Sequence, residues 1–157
     1  MSLTRIAEHV HWLPPGPPDR PSLCAVAGDR WTLMLDAGSS AAHTREFLDG
    51  LSAAGVARPA AVAYTHCHWD HVLGGAELGG LVIAHALTAE RLLELAARDW
   101  SDEGLDRRVA EGLASAGFAA HVKTELPSPR RPPSPAWARI RACRSPAPTT
   151  SRPRWLR

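Results

Sequence analysis

The segment Thr65-His66-Cys67-His68-Trp69-Asp70-His71-Val72-Leu73-Gly74-Gly75 places His66, His68, Asp70 and His71 within six residues. Neutral imidazole and carboxylate are the donors that borderline divalent cations such as Zn2+ prefer. A histidine met singly is ordinarily a surface or core residue, whereas this concentration of ligand-type groups is the layout of a metal site. In a tight loop, His66 and His68 can point at one ion while Asp70 and His71 turn toward a second. Two ions about 3.5–4 Å apart share a hydroxide, lower the pKa of its parent water and stabilise both oxygens of a displacement. Cys67 lies inside the motif, but a metal hydroxide leaves no need for a thiolate nucleophile. The residues by themselves imply a site for one or two divalent ions able to activate water.

Such a loop needs a rigid strand in front of it, and Ala60–Tyr64 is a short apolar run of that kind. Upstream, Ile6–Leu13 alternates in part and predicts a strand, followed by a Pro/Gly turn. Ser22–Ala27 and Trp31–Leu35 flank Gly28-Asp29 and predict a hairpin. Ser39 or Ser40 can cap a helix with Phe47, Leu48, Leu51 and Ala54 on one face and Gly55 closing it. Downstream, Leu81–Ala84 predicts a strand, then a helix with Thr88 as N-cap and Leu87 stapled to Leu92. Leu105, Val109 and Leu113 mark a further helix after Asp102. Hairpins followed by alternating strands and helices predict an α/β (α+β) domain, a mixed sheet with helices on one face.

His-x-His-x-Asp-His after a short apolar strand and before Gly-Gly resembles the signature of the metallo-β-lactamase superfamily. Leu33-Met34-Leu35-Asp36-Ala37-Gly38 resembles that family's strand ending in an Asp-x-Gly turn, and Leu81–Leu92 resembles its next strand and helix. The resemblance covers about residues 3–100 and implies the N-terminal half of an αββα sandwich with a metal-dependent hydrolytic centre. By the same resemblance His66 and His68 hold metal site one, and Asp70 and His71 site two, Asp70 being the catalytic carboxylate as well. Asp36 corresponds to an acid that supports the metal loop, and His85 to a position that is not a ligand. Two Zn2+ ions are the implied cofactor, with other divalent metals able to substitute. The implied substrates are small-molecule esters, thioesters, lactones or lactams.

Family members complete each site from a second half, with a Gly-x-His loop, a bridging aspartate and a late histidine. Here the only histidine after His85 is His121, outside such a loop, and no aspartate follows Asp106. Each ion is thus left with two protein ligands where catalytic zinc normally has three. His9 and His11, alternating on one strand, are expected to meet solvent, and His43 to be structural.

Composition gives a reason for the missing ligands. The net charge of +2 conceals a break near residue 121. Residues 1–121 carry 9 basic and 15 acidic side chains, net −6; residues 122–157 carry 9 basic and 1 acidic, net +8, with 8 of the 14 prolines. The prediction is a metallo-β-lactamase-like half-domain over 1–121 and a Pro/Arg-rich disordered tail over 122–157. The tail's Arg, Pro, Ala and Ser content is what a GC-rich gene yields out of frame, which predicts a truncated, impaired enzyme. A half-sandwich also leaves an apolar sheet face for a complementing chain or a second copy. Nucleic-acid binding through the basic tail is the weaker alternative, because the tail contains no recognisable binding module. No run of 18 or more apolar residues and no leader-like start occur, so no membrane partner and a cytoplasmic location are expected. Three cysteines without Cys-x-x-Cys spacing argue against a disulfide framework.

Overall fold

A computed structural model describes residues 2–17, 19–125 and 140–143. Strands β1 (Thr4–Ala7), β2 (Val10–Leu13), β3 (Leu23–Ala27), β4 (Thr32–Leu35), β5 (Ala61–Tyr64), β6 (Leu81–His85) and β7 (Ile140–Cys143) form one sheet in the order of the chain. The first four pair antiparallel, and β4 through β7 pair in parallel. Helices α1 (Ala41–Ala53), α2 (Trp69–Val72), α3 (Ala86–Ala96), α4 (Asp102–Ala110) and α5 (Ala116–Glu125) fill the connections, with a 3-10 turn at Leu73–Glu77. This is the mixed α/β architecture expected for half of the sandwich. Among the described residues, no helix is long and apolar enough to cross a membrane.

The register decides what is covered. Ala25, Met34, Val62 and Val82 lie opposite one another across β3 to β6, and all are buried. They join Phe47 and Leu51 of α1, Leu92 of α3, Leu105 of α4 and Val122 of α5 in a single core. One residue along, Trp12, Cys24, Leu35, Ala63 and Ile83 form a row on the other face, and none of them is fully buried. Val26 and Leu81, in the adjacent row, are exposed. The period of two along each strand therefore sends one apolar set beneath the helices and leaves the other largely open.

Helix α1 forms where its end signals lie. Ser40 caps it, its hydroxyl accepting from the His43 amide at 3.1 Å. At the other end Gly55, with φ +73°, closes a Schellman turn through Gly55 N to Ser52 O and Val56 N to Leu51 O. Phe47, Leu48 and Leu51 face the core, while Ala54 is exposed at the cap.

Several expectations are corrected. Ile6–Leu13 is not one strand, because a turn at Glu8–His9 folds β1 back on β2. His11 is buried, since its pairing with Ala25 puts it on the helix-covered face. Helix α3 begins at Ala86 rather than after Thr88, with His85 as its cap: the His85 ring Nδ1 accepts from Leu87 N at 3.2 Å. Leu87 is 64% exposed, so no staple to the buried Leu92 forms. Helix α4 stops at Ala110, and Leu113 lies outside it, exposed.

The boundary at residue 121 falls inside α5, whose Ala119, His121 and Val122 are buried. Ile140–Cys143 is an edge strand rather than disordered chain, paired in parallel to β6. The rest of the region expected to be a tail lies outside the described residues.

Candidate metal centre

The motif begins where β5 ends. Leu33, Met34 and Leu35 of β4 pair with Ala61, Val62 and Ala63, so the chain leaves both strands side by side at Asp36 and Thr65. Asp36 takes a left-handed backbone, φ 58°, the only non-glycine residue to do so among the described residues. That conformation is costly for a residue with a Cβ and persists only where the surroundings impose it. Here they do: Asp36 N donates to Ala63 O at 3.0 Å, and Ala37 N donates to His71 O at 2.7 Å. Gly74 N donates to Gly38 O at 3.1 Å, completing the lacing of the Asp36–Gly38 turn to the metal-type loop.

The Asp36 side chain reaches into that loop. Its Oδ1 accepts from Thr65 N at 2.8 Å, and the Thr65 hydroxyl lies 2.8 Å from Oδ2. His71 Nδ1 is also 2.8 Å from Oδ2. The same Thr65 hydroxyl lies 2.9 Å from His66 Nδ1. Both imidazoles are thus engaged at Nδ1 by one small network. The structural role of Thr65 was missed in the sequence, although a hydroxyl directly before the first histidine, at a strand end, was the available signal.

The predicted residues converge. The His66 ring centroid is 4.7 Å from that of His68 and 4.2 Å from that of His71. Asp70 Oδ2 is 3.4 Å from His71 Nε2. Donor atoms of Asp36, His66 and His71 lie within 4.8 Å of one another, close enough to surround one cation. Burial pushes the His66 pKa below its ordinary value, and the neighbouring His71 and His68 push the same way, against Asp36 and Asp70. A histidine shifted downward is neutral at pH 7, the form that ligates. Imidazole nitrogens and carboxylates in this arrangement suit a divalent ion.

Other histidines stand apart from this group. His43 is buried in α1, its Nδ1 3.5 Å from Ser39 Oγ, and His85 is spent on its cap. His121, set aside in the sequence, is buried with its ring 5.1 Å from that of Trp69, the residue between His68 and Asp70.

Known proteins agree with this architecture. A HARLDQ-motif mutant of a Cronobacter sakazakii metallo-β-lactamase shares 22% identity, over 64% of this chain and 41% of that one, with a TM-score of 0.53. MEM-A1, a subclass B3 metallo-β-lactamase isolated from a soil metagenome library, shares 16% identity over 91% of this chain and 46% of its own, with a TM-score of 0.56. SMB-1 bound to 2-mercaptoethanesulfonate shares 19% identity over 59% of this chain and 36% of its own, with a TM-score of 0.51. The chain spans less than half the length of each of these structures, and at such identities the likeness is one of fold. No curated protein matches the chain in sequence. A family model described as the metallo-beta-lactamase superfamily matches residues 17–150, past α5 and through β7. With that match spanning most of its length, the chain belongs to the metallo-beta-lactamase superfamily.

Proposed function

We propose that this chain is the metal-holding part of a hydrolase, with His66 and His68 ligating one divalent ion and Asp70 and His71 a second, zinc being the metal expected. The convergence of these side chains on a loop anchored by Asp36 carries this reading. Asp36 already accepts hydrogen bonds from Thr65 and faces His71 Nδ1, so it orients ligands rather than acting as one. His66 and His71, held at Nδ1, keep Nε2 for the metal. A divalent ion bound here supplies Lewis acidity toward a carbonyl or phosphoryl oxygen and lowers the pKa of water. Asp70 lies beside His71 and is placed to take up or hold a proton at its carboxylate.

With two ligands assigned to each ion, the rest of each shell comes from outside the described residues. The open face of the sheet favours a covering chain segment or partner as their source. The substrates proposed are small-molecule esters, thioesters, lactones or lactams. The test is turnover of a panel of these by the full chain with added zinc, alone and mixed with a candidate completing chain. Turnover that appears only in the mixture and requires both zinc and the loop histidines supports the reading; zinc-independent turnover, or turnover by the chain alone, contradicts it.

Asp36→Asn keeps a residue that tolerates the left-handed backbone but loses the charge facing His71. We expect zinc affinity to fall about 10- to 100-fold with the far-ultraviolet spectrum unchanged. Competition against a chromophoric chelator measures this, and unchanged affinity would show that Asp36 does not orient the ligands.

Falling pH should also act through His66. Its folded-state pKa is depressed, so the unfolded chain takes up the proton first. The metal-free protein therefore loses stability as pH drops through the unfolded histidine value of about 6.5. Urea midpoints at pH 7.5 and 5.5 should fall further for the native chain than for His66→Gln. Equal falls in the two proteins would contradict the assignment.

A further inference from the structure

Beside the metal loop, α3, α4 and α5 enclose a cleft of about 520 Å³ whose wall includes His68, Trp69, Trp100 and Phe118. Its volume is that of a small-molecule site. Arg91, Arg98 and Arg108 also line it, with Glu94 the only acidic residue in the wall among the described residues. Glu94 is occupied, since its Oε2 lies 2.6 Å from an Arg91 nitrogen. Arg108 is different. Its Nε and one terminal nitrogen are buried without a hydrogen-bond partner. Its guanidinium sits over the Trp100 ring, 4.9 Å from the centroid, and Trp100 is pinned by its own Nε1–H to Leu95 O at 2.7 Å. Burial and the like charge of Arg98 both disfavour the Arg108 cation.

A half-buried guanidinium with unmet donors is costly unless something accepts from it. A carboxylate or phosphate meets the need, because two oxygens match the guanidinium fork while the aromatic walls suit an apolar body. Resting on the hydrolase reading above, we propose that this cleft is the substrate pocket and takes a small molecule that joins an oxyanion, held by Arg108 and Arg98, to an aromatic or branched apolar body. The oxyanion end docks at the arginines, and the body runs along Trp69 and Phe118 toward His68.

The test is calorimetric titration of the metal-free full chain with 1-naphthylacetate and with its neutral counterpart 1-naphthylacetamide. The carboxylate should bind at least tenfold tighter, more weakly as salt rises. Arg98→Gln and Arg108→Gln should each remove most of that preference, and Arg108→Lys should restore part of it. Arg98 is exposed, so its variant tests the site even if Arg108→Gln loses the Trp100 contact and fails to fold. Inorganic phosphate competing with 1-naphthylacetate would show that any oxyanion serves, while failure to compete would show that the body is required; both presuppose the site. Equal binding of acid and amide, no binding of either, or full preference retained in Arg98→Gln would overturn it. Because no metal is present, failure here leaves the metal assignment intact, and a chain that binds the acid but no zinc loses only the hydrolase reading.

Discussion

His66→Ala should lower zinc affinity by at least 100-fold, the largest functional effect of any single substitution in this chain. His66 is close to both other loop histidines, its ring 4.7 Å from that of His68 and 4.2 Å from that of His71. Its Nδ1 is engaged by the Thr65 hydroxyl, so its orientation is set before any metal arrives. Removing it takes away one of the two ligands proposed for its ion and leaves, among the described residues, only the exposed His68. The fold should survive, because His66 is only partly buried and lies outside the hydrophobic core cluster. Competition titration with a chromophoric chelator reads the affinity, and a thermal melt checks the fold. Affinity within a few-fold of the native value would mean that the metal binds elsewhere.

Gly74→Ala should be the most damaging change to stability. A methyl at Gly74 would overlap the Thr44 hydroxyl and the Ala37 and Ser40 carbonyls. These groups are themselves linked, the Thr44 hydroxyl donating to both carbonyls. None is the free end of a flexible chain, so relief requires moving the Asp36–Gly38 turn away from the loop. Overpacking of this kind costs about 3 kcal/mol, a fall in melting temperature on the order of 10 °C. Zinc affinity should fall with it, since the shifted turn carries Asp36. Gly79→Ala is the control: nothing lies within 4 Å of a methyl there, and its melting temperature should stay within a degree or two of the native value. Matching melts for the two variants would show that the close approach at Gly74 does not matter.

The elements around the site were legible where local chemistry decides them. Gly28-Asp29 turns the β3–β4 hairpin, Ser40 and Gly55 bound α1, and the apolar run before Thr65 is β5. The loop histidines and Asp70 were readable as a cluster because the chain itself brings them together. Features without a local sequence signal were not legible. The turn at Glu8–His9 has neither Gly nor Asn to announce it. His85 caps α3 with an imidazole, a role that ordinary cap preferences favouring Ser, Thr, Asp and Asn do not suggest. Strand β7 has an arginine in its middle and exists through its pairing with β6, more than fifty residues earlier. His121 is buried with its ring 5.1 Å from that of Trp69, a partner that no spacing rule connects to it. The oxyanion cleft has the same origin, because Arg91, Arg98 and Arg108 meet only once α3 and α4 pack beside the loop.

As proposed, the loop carrying His66, His68, Asp70 and His71 binds a divalent metal and supplies only part of its shell. Zinc content of the purified full chain, before and after passage over a chelating resin, tests this most directly when paired with His66→Ala/His68→Ala. The native chain should take up zinc, lose it to the resin and turn over no substrate alone, while the double variant should take up none. About two zinc ions per chain surviving the resin, with hydrolytic turnover, would contradict it, as would equal uptake by the double variant.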